Sequence, residues 1–246
     1  MKKPNWQVIL GLSLVILSTI VYVIHFLIFR DFRHIMIYLV GDIAFVPVEV
    51  LLVTLIIHRL LTHREKRVMM EKLNMVIGAF FSEVGTKLLR YFTSSDPEAG
   101  KVRRELEITS GWPDRKFLEA ASELKQYSFQ AAPSRDGLRE LKAFLTGKMD
   151  FLLRLLENPN LLEHDSFTDM LWAAFHLAEE LANRGDLAQL PDSDVQHLLG
   201  DVKRAYARLV GEWLDYMHHL KRNYPYLFSL AIRTNPFNPG ASVLVT

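Results

Sequence analysis

Two apolar stretches separated by only five residues constrain this chain more than any other feature. From Trp6 to Phe29 no residue carries a formal charge, and a second apolar run extends from Ile35 to Leu61. About 20 apolar residues cross a bilayer core as a helix, at ~1.5 Å per residue. Each run is long enough to span. A secretory signal has an apolar region of about 7–15 residues and then a small-residue cleavage site. Here Tyr22, Val23, Ile24, Phe26 and Leu27 prolong the first run, and no such exit follows. The intervening Arg30-Asp31-Phe32-Arg33-His34 can only turn a hairpin. The expectation is a two-span transmembrane helical hairpin over residues 1–63, with spans at about 6–29 and 35–61 in antiparallel contact.

Lys and Arg set the orientation of such a hairpin. Lys2, Lys3, Arg59, Arg64, Lys66 and Arg67 flank its outer ends, against Arg30 and Arg33 in the turn. This bias places both termini in the cytoplasm and predicts a multi-pass protein of the cytoplasmic membrane. Trp6 and Tyr38 suit the interfaces. Residues 1–67 carry a net charge of +4, and the whole chain of 246 residues carries +1. A basic, apolar head therefore precedes a mildly acidic body, and the balance gives no argument for nucleic acid. The absence of cysteine excludes a disulfide framework, a CxxC redox or zinc site, an Fe–S cluster and S-acylation.

The second run contains Gly41, Asp42, Pro47 and Glu49. Asp42 and Glu49 are seven residues apart, so they share a helix face about two turns apart. A carboxylate near the bilayer centre costs at least ~2.5 kcal/mol, and such residues face protein or water. Reflection about the turn puts Asp42 level with Tyr22 and near His25, and Glu49 level with Val15 and near Ser18. His25, Tyr22, Ser18 and Thr19 step along one face of the first span. The spacing predicts an intramembrane polar seam of Asp42, Glu49, Pro47, His25, Tyr22 and Ser18, inside the hairpin or an oligomer. Three readings stay open: a protonated or hydrogen-bonded carboxylate that holds helices together, an ion or proton path, and a contact with a lipid headgroup or partner helix. Pro47 removes a backbone hydrogen bond and can kink the span beside Glu49.

From residue 64 the pattern becomes soluble and helical, with a 3.6-residue period. Met69, Met70, Leu73, Val76, Ile77, Phe80, Phe81, Val84 and Leu88 form the apolar face of a helix over 64–92. This helix either packs in the body or lies on the membrane. Thr93 to Pro97 and Ser110 to Asp114 break the pattern, and Asp114 is a candidate cap for a helix with Phe117, Leu118, Ala121 and Leu124 inward. A helix after Ser134 carries one stripe of Leu138, Leu141, Phe144, Leu145, Leu152, Leu153 and Leu156. Ser166 and Asp169 resemble a capping box for a helix that buries Phe167, Leu171, Ala174, Phe175, Ala178 and Leu181. Pro191-Asp192 starts a helix with Val195, Leu198, Leu199, Val202, Tyr206, Leu209, Trp213, Met217 and Leu220 inward, which Pro225 interrupts. No stretch alternates with period two. The reading is an all-α chain: the hairpin, a cytoplasmic helical bundle over 64–234, and a tail over 235–246.

No motif of catalysis accompanies this pattern. The glycines never occur as G-x-G, and there is no G-x-x-x-x-G-K loop, G-x-S-x-G elbow or H-E-x-x-H helix. His176 with Glu179 and Glu180 reads as a solvated face, and His218-His219 as an exposed basic helix end. No catalytic residue, cofactor or metal ligand is expected. Trp213, Tyr216, Tyr224, Tyr226 and Phe228 form an aromatic group for core packing or a partner surface.

Three stretches are distinctive in wording: Gly41-Asp42-Ile43-Ala44-Phe45-Val46-Pro47-Val48-Glu49-Val50, Asn74-Met75-Val76-Ile77-Gly78-Ala79-Phe80-Phe81-Ser82-Glu83, and Tyr224-Pro225-Tyr226-Leu227-Phe228-Ser229-Leu230-Ala231-Ile232-Arg233-Thr234-Asn235-Pro236-Phe237. The chain resembles, over its whole length, uncharacterised prokaryotic two-span integral membrane proteins. The resemblance implies no activity. Pore-loop channels need a re-entrant segment between their spans, and two-span chemoreceptors a sensing domain there; five residues supply neither. The expected protein is a membrane-anchored interaction or regulatory protein. It self-associates through its spans into a homo-oligomer, with the bilayer and a cytoplasmic protein as partners. The competing reading is an oligomeric ion or proton conductor with Asp42 and Glu49 lining the path.

Overall fold

Two residues, not five, separate the first two helices. A computed structural model describes residues 6–159, 161 and 164–244, with the side chains of 63 and 65–72 outside the description. Helix α1 (Trp6–Phe29) and helix α2 (Phe32–Phe80) are joined by Arg30 and Asp31. Arg30 takes the left-handed conformation, with φ of 48°. The carboxylate of Asp31 accepts a hydrogen bond from the His34 amide at 3.1 Å, which satisfies a first-turn donor of α2. That cap starts the helix at Phe32, earlier than Ile35, because Asp31 competes for a free amide more effectively than the apolar pattern reveals.

The chain divides into two compact units, Met1–Arg67 and Val68–Thr246, and the division falls within α2. In the first unit the two helices pack at the turn alone. Ile35 is buried and His25 and Leu39 are half-buried, while every other described residue from Trp6 to Leu61 is exposed. The antiparallel contact between these two helices is confined to the turn. Gly11 and Gly41, where a close helix crossing would be seated, have no neighbouring atom within 4 Å of a Cβ position. Lys2 and Lys3, and the side chains of Lys66, Arg67, Met69 and Met70, lie outside the described residues.

The second unit is built around helix α9 (Asp192–Asn223), against which α3 (Thr86–Ser94), α5 (Asp114–Lys125), α8 (Asp165–Ala182) and α10 (Pro225–Arg233) pack. Its stripe Leu198, Val202, Tyr206, Leu209, Trp213, Met217 and Leu220 is buried as the period requires. Helices α6 (Arg135–Thr146) and α7 (Met149–Leu156) pack on α8, and a short α4 (Ala99–Glu105) fills a stretch that carries no clear periodic signal. No strand occurs among the described residues.

Several boundaries differ from the sequence reading, each for a local reason. The helix expected over 64–92 is interrupted by a π-helical turn, Phe81–Gly85. The extra residue in that turn rotates the following stretch, so the adjacent Phe80 and Phe81 both point inward with Val84, Leu88, Leu89 and Phe92. Gly147 and Lys148 split the single helix expected after Ser134, and the phase change leaves Leu153 exposed while Leu152 is buried. In α5 the buried positions are Phe117, Ala120 and Leu124, so Leu118 lies on the solvent side. Pro113 occupies the N-cap of α5, and Asp114 is its first helical residue. At α8 the cap is His164, whose ring accepts from the Phe167 amide, in place of Ser166. The segment expected to open a tail begins inside the core: Asn235 donates to the Leu106 carbonyl at 2.8 Å, and Phe237 packs edge-on to Trp213.

Candidate functional site

Of the expected seam residues, His25 alone is even half-buried within the first unit. Asp42, Glu49, Pro47 and Ser18 are exposed, and Tyr22 is 38% exposed. Among the described residues, neither carboxylate has a hydrogen bond or ion pair. Thr19 donates to the Val15 carbonyl of its own helix at 2.9 Å. His25 meets a different residue from the expected Asp42: its ring stacks on His34, with centroids 5.8 Å apart and planes 11° apart. Its neighbour Phe29 lies 4.7 Å away. One relation is preserved in the register. The α2 face that covers Ile35 and Leu39 at the turn continues, in steps of three and four residues, through Asp42, Val46 and Glu49.

A tighter polar cluster lies in the second unit, between α8 and α9. These helices run antiparallel, as shown by the cross-pairs Glu180 with His197, His176 with Asp201, and Asp169 with Arg208. Each helix contributes a histidine and a carboxylate one turn apart, His176 with Glu180 and His197 with Asp201. The i,i+4 spacing puts both members of each pair on one face, and the helix packing brings the two faces together. His176 Nε2 lies 3.7 Å from Asp201 Oδ2 and 3.9 Å from Glu180 Oε1. His197 Nε2 lies 3.5 Å from Asp201 Oδ2 and 3.5 Å from Glu180 Oε2. Ligand atoms of Glu180, His197 and Asp201 lie within 4.8 Å of one another, a spacing that a metal ion can bridge.

The electrostatics of the cluster are fixed by two arginines. Arg184 Nη1 donates to Glu180 Oε2 at 2.6 Å, and its Nε and Nη2 hold Asp194 in a two-pronged pair at 2.8 and 2.7 Å. Hydrogen bonds from this guanidinium hold the carboxyls of Glu180 and Asp194 below their usual range. Arg204 Nη1 donates to Asp201 Oδ1 at 2.8 Å. Asp201 is 2% exposed, and its Oδ2 has no hydrogen-bond partner among the described residues. Both histidines open toward solvent, at 45% and 55% exposure.

This cluster corrects two sequence readings. His176 and Glu180 are only partly solvated, because both turn toward α9 while the His176 ring keeps one side open to water; of that trio Glu179 alone is fully on the solvent side. His218 and His219 are not an exposed end either. His218 stacks on Phe117 with centroids 4.8 Å apart and pairs with Asp114 at 3.4 Å, and burial pushes the His219 imidazole below its usual range. In the aromatic group Trp213 and Phe228 are buried, Tyr216 stacks on Phe81, and Tyr226 is 72% exposed.

Comparison with known proteins gives a consistent assignment of both parts. Residues 1–61 match the model of the N-terminal helical domain of MJ1433, and residues 69–233 match that of the C-terminal helical domain of the same uncharacterized protein. The uncharacterized protein MJ1433 of Methanocaldococcus jannaschii is 47% identical over 244 residues, which cover 99% of this chain and 98% of the relative. No solved structure matches the chain.

Proposed function

We propose that this protein, which belongs to the MJ1433 family, is a membrane-anchored helical interaction protein that self-associates through its first two helices. One observation carries the anchoring. Two helical segments of 24 and 31 residues, Trp6–Phe29 and Phe32–Thr62, are apolar enough to cross a bilayer and are unburied within the chain. At ~1.5 Å per residue both exceed the ~30 Å hydrocarbon thickness. An aqueous protein that left them bare would expose far more contiguous apolar surface than the few hundred Å² usual for a monomer. The Lys and Arg bias then favours cytoplasmic ends.

Self-association is supported by Asp42 and Glu49. In a bilayer both exposed carboxylates would meet lipid at ~2.5 kcal/mol or more each. A second copy that covers the α2 face through Ile35, Leu39, Asp42, Val46 and Glu49 removes that cost. The alternative, an oligomeric ion or proton conductor, uses the same two carboxylates on the same face. Cross-linking in native membranes tests the first reading: a homo-oligomer weakened by Asp42→Asn with Glu49→Gln is expected, and a strictly monomeric membrane protein would refute it. Liposome flux separates the second: conduction abolished by the same substitutions would replace the interaction role.

A further inference from the structure

We propose that Glu180, His197 and Asp201 bind one divalent first-row transition-metal ion, best matched by Zn2+, which staples α8 to α9, with His176 beside them but outside the converging set. An imidazole with two carboxylates is a ligand set that such ions accept, with a fourth position left for water, and the imidazole is a ligand that the hard cations Mg2+ and Ca2+ do not favour. Distance separates this arrangement from a set of ordinary ion pairs. The four histidine-to-carboxylate separations are 3.5, 3.5, 3.7 and 3.9 Å. A charge-assisted hydrogen bond would draw these atoms to ~2.7–2.9 Å. Ligands ~2.0–2.1 Å from a tetrahedral Zn2+ stand ~3.3–3.4 Å from one another. The ligand atoms of Glu180, His197 and Asp201 lie within 4.8 Å of one another, so side-chain shifts of about an ångström bring the three onto one ion.

The carboxylates supply two further arguments. Asp201 Oδ2 is buried and lacks a hydrogen-bond donor, yet it faces both histidine Nε2 atoms. A buried carboxylate oxygen without a partner is costly, and a cation at the centre of the cluster satisfies it. The opposite oxygen, Oδ1, is held by Arg204, and Glu180 Oε2 is held by Arg184. Asp201 is thereby anchored through Oδ1 and offers Oδ2 to an ion, while in Glu180 the oxygen held by Arg184 is the one nearest His197 and Oε1 is left without that clamp. This is the outer-shell support that fixes ligands at metal sites. The half-exposed histidines provide the entry path.

The test uses the full chain in detergent, stripped with a chelator and titrated with Zn2+ alone by calorimetry. One equivalent per chain is expected. His197→Ala and Asp201→Asn should each weaken binding at least ~10-fold, the scale on which even outer-shell changes act, while His219→Ala should leave it unchanged. The His197 side chain is 55% exposed, so its replacement should preserve helicity by circular dichroism. Co2+ provides a geometric readout: intense visible bands of a four-coordinate ion, lost in His197→Ala, support the site. Absence of stoichiometric Zn2+ binding would overturn the proposal and leave two histidine–carboxylate ion pairs. Binding indifferent to His197→Ala and Asp201→Asn, or weak six-coordinate Co2+ bands, would equally overturn it.

Discussion

Replacement of Gly85 by alanine should destabilise the helical body, although the backbone there is ordinary right-handed helix with φ of −60° and ψ of −45°. In such backbone alanine is normally favoured over glycine by about 1 kcal/mol. At Gly85 a Cβ would lie 2.5 Å from Phe81 Cδ1 and 2.7 Å from Phe80 Cε1, against ~3.5–4.0 Å for an optimal carbon contact. Both rings must retreat by about 1 Å. Neither has room: Phe80 stands edge-on to Phe167 at 5.6 Å, and Phe81 stacks on Tyr216 at 5.2 Å. Overpacking costs ~1–3 kcal/mol, and two interlocked rings place this case near the upper end. After the propensity gain, a net loss of about 2 kcal/mol remains. For a unit of this size that lowers the Tm by ~4–8 °C. Gly200, in α9 with no atom within 4 Å of its Cβ position, is the control: Gly200→Ala should raise the Tm by ~1–4 °C. Thermal unfolding of the full chain in detergent, followed by near-ultraviolet circular dichroism, reads both. If Gly85→Ala melts at or above the wild-type temperature while Gly200→Ala behaves as stated, the packing argument fails.

Three further substitutions test other parts of the body. Arg184→Met removes the clamp between Glu180 and Asp194 and should lower the Tm at neutral pH; because both carboxyls are held low, their contribution is present above ~pH 4 and lost as pH falls, so the variant should show a flatter acid limb in pH-dependent melting. Burial pushes the Glu212 carboxyl up, with Ser166 and His164 opposing. Ionisation therefore disfavours the fold as pH rises above ~4.3; Glu212→Gln should gain stability at neutral pH relative to wild type, and equal melting profiles from about pH 4 to 8 would contradict this. Tyr206→Phe strands the buried Thr93 hydroxyl, which lies 3.1 Å from the tyrosine oxygen, and should cost ~1–2 kcal/mol in denaturant unfolding, whereas addition of Thr93→Val should recover much of the loss.

The helical class was legible because the buried stripe of α9 follows a 3.6-residue period without interruption. What escaped were departures from regular helix. A π-turn is one residue long in its effect, and Phe80-Phe81 reads as a redundant pair until the turn places both rings inward. The split at Gly147 escaped for a related reason, since the leucines on either side belong to two stripes that merge on paper. In the first unit the turn was legible, but the start of α2 depended on the Asp31 side chain and not on hydropathy.

The histidine–carboxylate cluster was half legible. His176 and Glu180, and His197 and Asp201, are each one helical turn apart, which a sequence states directly. That the pairs face one another depends on the register of α8 against α9, set by the short connection and by Arg184 reaching from the end of α8 to Asp194 near the start of α9. No spacing rule within one helix contains that register. A signal was nevertheless present. Asp201 stands three residues after Leu198 and four before Ala205, so it occupies the phase of the buried stripe. Glu212 does the same, three residues after Leu209. An acidic residue in a core phase is costly unless a partner waits for it. For Glu212 burial is met by a raised protonation range. For Asp201 one oxygen is met by Arg204, and the other faces two imidazoles. Position within the hydrophobic period, more than any histidine motif, is what separates Asp201 from the chain's exposed acids, and it is why the metal experiment turns on Asp201→Asn as much as on the loss of an imidazole.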